Sequence, residues 1–114
     1  MSRNKSLDKN KRVPINLREM NSSLAQLPGW EAKNGKLHKE FCFKDFVEAF
    51  AFMTGVALNA ESLNHHPEWF NVYNRVVVDL CTHDTVPEGG GITPLDIHLA
   101  KIMNDLSMAI GGME

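Results

Sequence analysis

Cysteine is scarce in this chain: Cys42 and Cys81 are the only two in 114 residues, in no metal-like or redox spacing. That excludes a disulfide-stapled secreted scaffold and points to free thiols in a reducing compartment. Long apolar runs are missing, and none approaches the ~20 residues of a membrane span. The first residues carry charge without an apolar core, so no secretory signal is read there. The expected location is therefore the cytoplasm, with passive entry to the nucleus open at this size. An excess of charge of one sign is also lacking, since 12 Lys and Arg face 14 Asp and Glu for a net charge of -2. Neither nucleic acid nor an anionic membrane has an electrostatic footprint to bind. Gly89 to Gly91 form neither a dinucleotide fingerprint nor a Walker loop with its lysine, so no nucleotide site follows.

What is present suits one small globular domain, with 43% hydrophobic and 23% charged residues. Residues 1–14 are polar and read as a disordered tail, leaving 15–114 as the single domain. Asn16 with Glu19 three positions on has the form of a helix cap, and Leu17, Met20, Leu24 and Leu27 follow at helical spacing. Pro28-Gly29 should end that helix. A short strand from Trp30 to Lys33 and a return strand from Lys36 to Phe43 flank Asn34-Gly35, the strongest short hairpin signal. A long helix runs from Lys44-Asp45 to near Asn64. Its expected core stripe is Phe46, Phe50, Met53, Ala57 and Ala60, widened by Ala49, Val56 and Leu63. Trp69 to Tyr73 and Val76 to Cys81 read as strands around a turn near Asn74-Arg75. Thr93-Pro94-Leu95-Asp96 opens a last helix, with Thr93 as cap and an acid at its third position. The order α-β-β-α-β-β-α predicts a two-layer α+β domain: a four-stranded antiparallel sheet with helices on one face.

The chemistry concentrates between Glu61 and His83. Three of the five histidines lie there, His65, His66 and His83, with Glu61, Glu68, Trp69 and the only tyrosine, Tyr73. Pro67 pushes His66 out of the helical region, so the adjacent histidines sit where a helix breaks towards a strand. Three readings compete. In the plainest, the histidines satisfy local hydrogen bonds. A three-histidine zinc site is known chemistry, but adjacent histidines rarely reach one ion and no H-E-x-x-H spacing or cysteine partner is visible. The third is metal-free acid–base catalysis, since histidine exchanges protons near neutrality. Trp69 and Tyr73 would then wall a flat heterocycle, and Glu61 would accept N–H groups from its ring. Asp96, at the third position of the last helix, can cap the helix with one oxygen and accept a hydrogen bond from His83 with the other; the alternative is that it is only a capping residue.

Glu61-x3-His65-His66-Pro67, followed by Tyr73, His83 and Asp96, resembles the signature of the pterin-4a-carbinolamine dehydratases, also called dimerization cofactors of a homeodomain transcription factor. The similarity extends from Pro28-Gly29-Trp30 through Phe43-Lys44-Asp45-Phe46 to the last helix. It implies dehydration of a 4a-hydroxytetrahydropterin to the quinonoid dihydropterin, which recycles the tetrahydropterin cofactor of aromatic amino-acid hydroxylases. No metal or organic cofactor is implied. The positions matching His65 and His83 form the acid–base pair, and that matching His66 holds the substrate. Glu61, Pro67, Trp69, Thr82 and Asp84 match the substrate site, with Asp96 and Tyr73 in support. A homodimer or homotetramer is implied, and a non-catalytic role as transcriptional coactivator or assembly factor is the alternative. An exposed apolar strip on the long helix would suit such a partner. The loop between His83 and Asp96 is longer than the family pattern.

Overall fold

Residues 11–112 are described by the computed structural model. In chain order they form α1 (Leu17–Leu24), β1 (Glu31–Lys33), β2 (Lys36–Cys42), α2 (Phe46–Leu63), β3 (Glu68–Val72), β4 (Arg75–Leu80) and α3 (Pro94–Ile110). This is the expected α+β order. All strand pairs are antiparallel, and the sheet order is β1-β2-β4-β3. The two hairpins thus meet through β2 and β4, leaving β1 and β3 as edges.

Side chains alternate across the pleat, so the register decides what lies under the helices. Leu37 pairs with Leu80, Lys39 with Val78 and Phe41 with Val76. All six are buried, and all but Lys39 join Ala49, Phe52, Val56 and Ala60 of α2 and Leu99, Ala100 and Met103 of α3 in one apolar core. Phe52 stands at its centre, with ring centroids 4.7 Å from Phe41 and 5.0 Å from Phe43. The other sheet face carries ion pairs instead: His38 with Asp79, Arg75 with Glu40, and Lys36 with Glu68.

Local chemistry sets the boundaries. Asn34 and Gly35 both take positive φ, 53° and 77°, as the tight hairpin requires. Tyr73, not Arg75, shares the second turn with Asn74 and has a φ of 51°. The Asn71 amide brackets that turn by donating to the carbonyls of Tyr73 and Arg75 at 3.1 and 2.8 Å. α1 stops at Leu24, short of Leu27, which packs into the core from the following turn.

The expected core stripe of α2 needs correction. Phe46 and Phe50 are 48% and 55% exposed, while Ala49, Phe52, Val56 and Ala60 face the sheet. α2 is apolar almost all round, so its sequence holds two stripes of helical period and spacing alone cannot choose between them. The chosen face includes small residues, which let the helix approach its neighbours. On the side toward α3, a Cβ at Gly55 would meet Leu106 at 3.4 Å.

Of the expected tail, residues 1–10 lie outside the described residues. Lys11 to Pro14 are held in place: Arg12 donates to Asp84 at 2.8 Å, and its carbonyl accepts from Val86 N–H. The long 84–92 loop is further tied by an antiparallel bridge between Thr82 and Gly91 and by Thr85, whose hydroxyl accepts from Gly90 N–H.

Candidate active site

The histidine pair is set by how α2 ends. Asn64 takes the left-handed conformation (φ 52°, ψ 44°), and His65 N–H returns to the carbonyl of Ala60 at 3.0 Å. Asparagine tolerates that conformation better than most residues, so Asn64 terminates the helix before Pro67 can. The chain then turns sharply, burying His65 and leaving His66 outside.

His65 is 6% exposed and Asp96 is 0% exposed. The His65 Nε2–H donates to Asp96 Oδ1 at 2.5 Å. The second oxygen, Oδ2, accepts the backbone N–H of Thr93 at 2.9 Å and the hydroxyl of Thr82 at 2.8 Å. Thr82 is in turn 2.7 Å from the Thr93 hydroxyl, which accepts from Leu95 N–H. Asp96 therefore closes the capping box of α3 and orients His65 with one carboxylate. No buried side-chain polar atom among the described residues lacks a partner. A satisfied network of this kind fixes its members. With Nε2–H committed to Asp96, Nδ1 is the other ring nitrogen of His65.

The expected bond between Asp96 and His83 is not formed. Extended chain at Cys81-Thr82-His83 alternates its side chains, so Thr82 points inward to Asp96 while Cys81 and His83 point outward. His83 Nε2 lies 3.3 Å from Glu68 Oε2 and 3.7 Å from Cys81 Sγ. Lys36 holds the other Glu68 oxygen at 2.5 Å. That hydrogen bond keeps the Glu68 carboxyl below its ordinary value and raises the Lys36 ammonium. Burial pushes the Cys81 thiol up.

Asn64, His65, His66, Cys81, His83 and Asp84 line one open pocket of about 220 Å³. A second, of about 300 Å³, adjoins it across Cys81 and His83 and reaches the Asn34-Gly35 turn, Thr82 and Gly89 to Gly91. The structure thus brings together His65, His66, His83, Thr82 and Asp84. Glu61 reaches the group through His66, whose Nε2 is 2.9 Å from Glu61 Oε1. Pro67 and Trp69 stand beside the site in sequence but line neither pocket. Tyr73 lies in the β3–β4 turn, at the opposite end of the hairpin from Glu68, and is not brought to the histidines. Lys36, Glu68 and Cys81 went unassigned by sequence reasoning. Their one signal was the odd–even alternation that places them with His83 on a single face.

Among the described residues no helix is long and apolar enough to cross a membrane. An α+β domain with a histidine pocket at the junction of a helix end and a β-strand end is the class defined so far. The sequence profile of the family described as pterin 4 alpha carbinolamine dehydratase matches residues 13–106, and the chain belongs to that family. It is 53% identical over 89 residues to a Solibacter usitatus protein provisionally named pterin-4-alpha-carbinolamine dehydratase, covering 78% of this chain and 90% of the relative. A Prochlorococcus marinus (strain AS9601) protein of the same provisional name is 50% identical over 88 residues, covering 77% and 88%. The crystal structure of a transcriptional coactivator/pterin dehydratase from Brucella melitensis is similar with a TM-score of 0.74 at 47% identity, covering 82% of this chain and 97% of that one.

Proposed function

We propose that this protein dehydrates a 4a-hydroxytetrahydropterin to the quinonoid dihydropterin, using its own histidines as acid and base. The observation that carries the reading is that His65 and His83 line one pocket, with His65 locked by a buried carboxylate. Loss of the C4a hydroxyl needs a proton on the leaving oxygen and removal of a ring N–H proton, so that the new double bond can form. One histidine supplies the first and the other accepts the second. His66, half outside and paired with Glu61, holds the substrate edge. Thr82 acts from behind by orienting Asp96, and Asp84 closes the outer rim. The flat ring would span both pockets, across His83. The test is decay of 4a-hydroxytetrahydropterin followed with and without protein. Acceleration that falls about 10²–10⁴-fold in His65→Ala and in His83→Ala supports the reading. An uncatalysed rate with the intact chain overturns it.

A second reading has its own support. Val47, Phe50 and Leu58, spaced along one side of α2, are 74%, 55% and 71% exposed. Such a strip suits a partner helix or a second copy of the chain, as would a coactivator role or a homo-oligomer. The open edges β1 and β3 add to the case for self-association. Sedimentation of the intact protein tests it. A mass above 12.8 kDa that falls to the monomer in Phe50→Asp supports a self-association surface. A monomer at micromolar concentration argues against self-association.

A further inference from the structure

We infer that Glu68, Cys81 and His83 form a binding site for a zinc-class divalent ion on the helix-free face of the sheet. Glu68 Oε2, Cys81 Sγ and His83 Nε2 are mutually 3.3, 3.7 and 3.8 Å apart. A tetrahedral ion with bonds of about 2.0–2.3 Å to oxygen, nitrogen and sulfur places its ligand atoms roughly 3.3–3.8 Å from one another. The three atoms are thus already spaced as three corners of such a tetrahedron. The backbone explains why. Glu68 pairs with Asp79 across β3 and β4, and Cys81 and His83 follow Asp79 at steps of two on the same face. Lys36 holds Glu68 Oε1 and leaves Oε2 toward the cluster, as an outer partner that orients a single-oxygen carboxylate ligand. Mixed sulfur, nitrogen and oxygen donors with a fourth position open select zinc over calcium or magnesium. Binding displaces the thiol proton of Cys81 and ties up Nε2 of His83.

The consequence for catalysis, which rests on the dehydratase reading, is inhibition: an ion here takes His83 out of the acid–base pair. Full-length, tag-free, metal-stripped protein titrated with Co2+ tests the site itself. The expected result is one ion per chain with a thiolate-to-cobalt absorption band, displaced by Zn2+. The band should vanish in Cys81→Ser and persist in Cys42→Ser. Affinity should fall at least about tenfold in Glu68→Gln and in His83→Gln, so that no single variant's folding decides the matter. Absence of the band, or its survival in Cys81→Ser, overturns the proposal. If the band forms and Zn2+ slows pterin dehydration, site and consequence both stand. If the band forms in a protein that never accelerates dehydration, the site stands and the dehydratase reading falls.

Discussion

Of the three histidine–carboxylate pairs whose histidines line the pocket, His65–Asp96 and His83–Glu68 differ in almost everything else. His65 and Asp96 are buried, and every fully buried side-chain polar atom among them and the two threonines has a partner. His83 and Glu68 are exposed, 79% and 44%, with a longer contact of 3.3 Å. The first pair is built into the start of α3 and so into the fold. The second lies at the edge of the sheet, exposed, where water or a ligand can replace either partner. Removing one partner of a buried charged pair strands the other, whereas an exposed pair is replaced by water. A site that must both hold geometry and admit a ligand divides those demands between the two.

The largest break in this contrast should come from Asp96→Ala, which strands His65, the Thr82 hydroxyl and the Thr93 N–H together. A loss of roughly 3–5 kcal/mol in unfolding free energy is expected from denaturant titration. Asp96→Asn should also be costly. Its one amide oxygen cannot accept everything that two carboxylate oxygens do, so the mild cost that a simple helix cap implies is not expected here. In contrast, His83→Ala should leave the unfolding midpoint nearly unchanged while still abolishing most activity.

Double-mutant cycles sharpen the comparison next. Activity losses of His65→Ala and Asp96→Asn should be strongly non-additive, because Asp96 acts through His65. Losses of His83→Ala and Asp96→Asn should approach a simple product. The reverse pattern would restore the pairing of Asp96 with His83 suggested by the sequence.

A chelator separates the two pairs more gently. Stripping metal should leave dehydration intact or speed it, because neither histidine needs an ion to exchange protons. Activity lost on chelation and restored by zinc would sink the acid–base reading.

The smallest effect belongs to Lys36→Met. Glu68 titrates below its ordinary 4.5 because Lys36 donates to it. The contribution of that contact is therefore complete above 4.5 and is lost as pH falls through the lowered value. The substitution should move the Glu68 midpoint back up, as read by carboxyl NMR, with little change in stability. An unmoved midpoint would mean that Lys36 does not hold the carboxylate.

Much of this molecule was legible from local rules. The Asn34-Gly35 hairpin, the cap at Thr93-Pro94 and the break after the long helix each depend on a few adjacent residues, and those fixed the element order and the antiparallel sheet. The clustering of His65, His66 and His83 was visible for the same reason: a helix end and a strand end lie close together in the chain. Tertiary structure alone decided three things. It chose between two equally periodic faces of α2, turning Phe52 inward and Phe50 out, because that choice depends on which surface meets the sheet and α3. It gave Asp96 to His65 rather than His83, because the inward side of the extended segment belongs to Thr82. It also set Cys81 beside Glu68, since the β3–β4 turn falls at Tyr73-Asn74, one residue earlier than the expected Asn74-Arg75, and that position fixes the register of the hairpin.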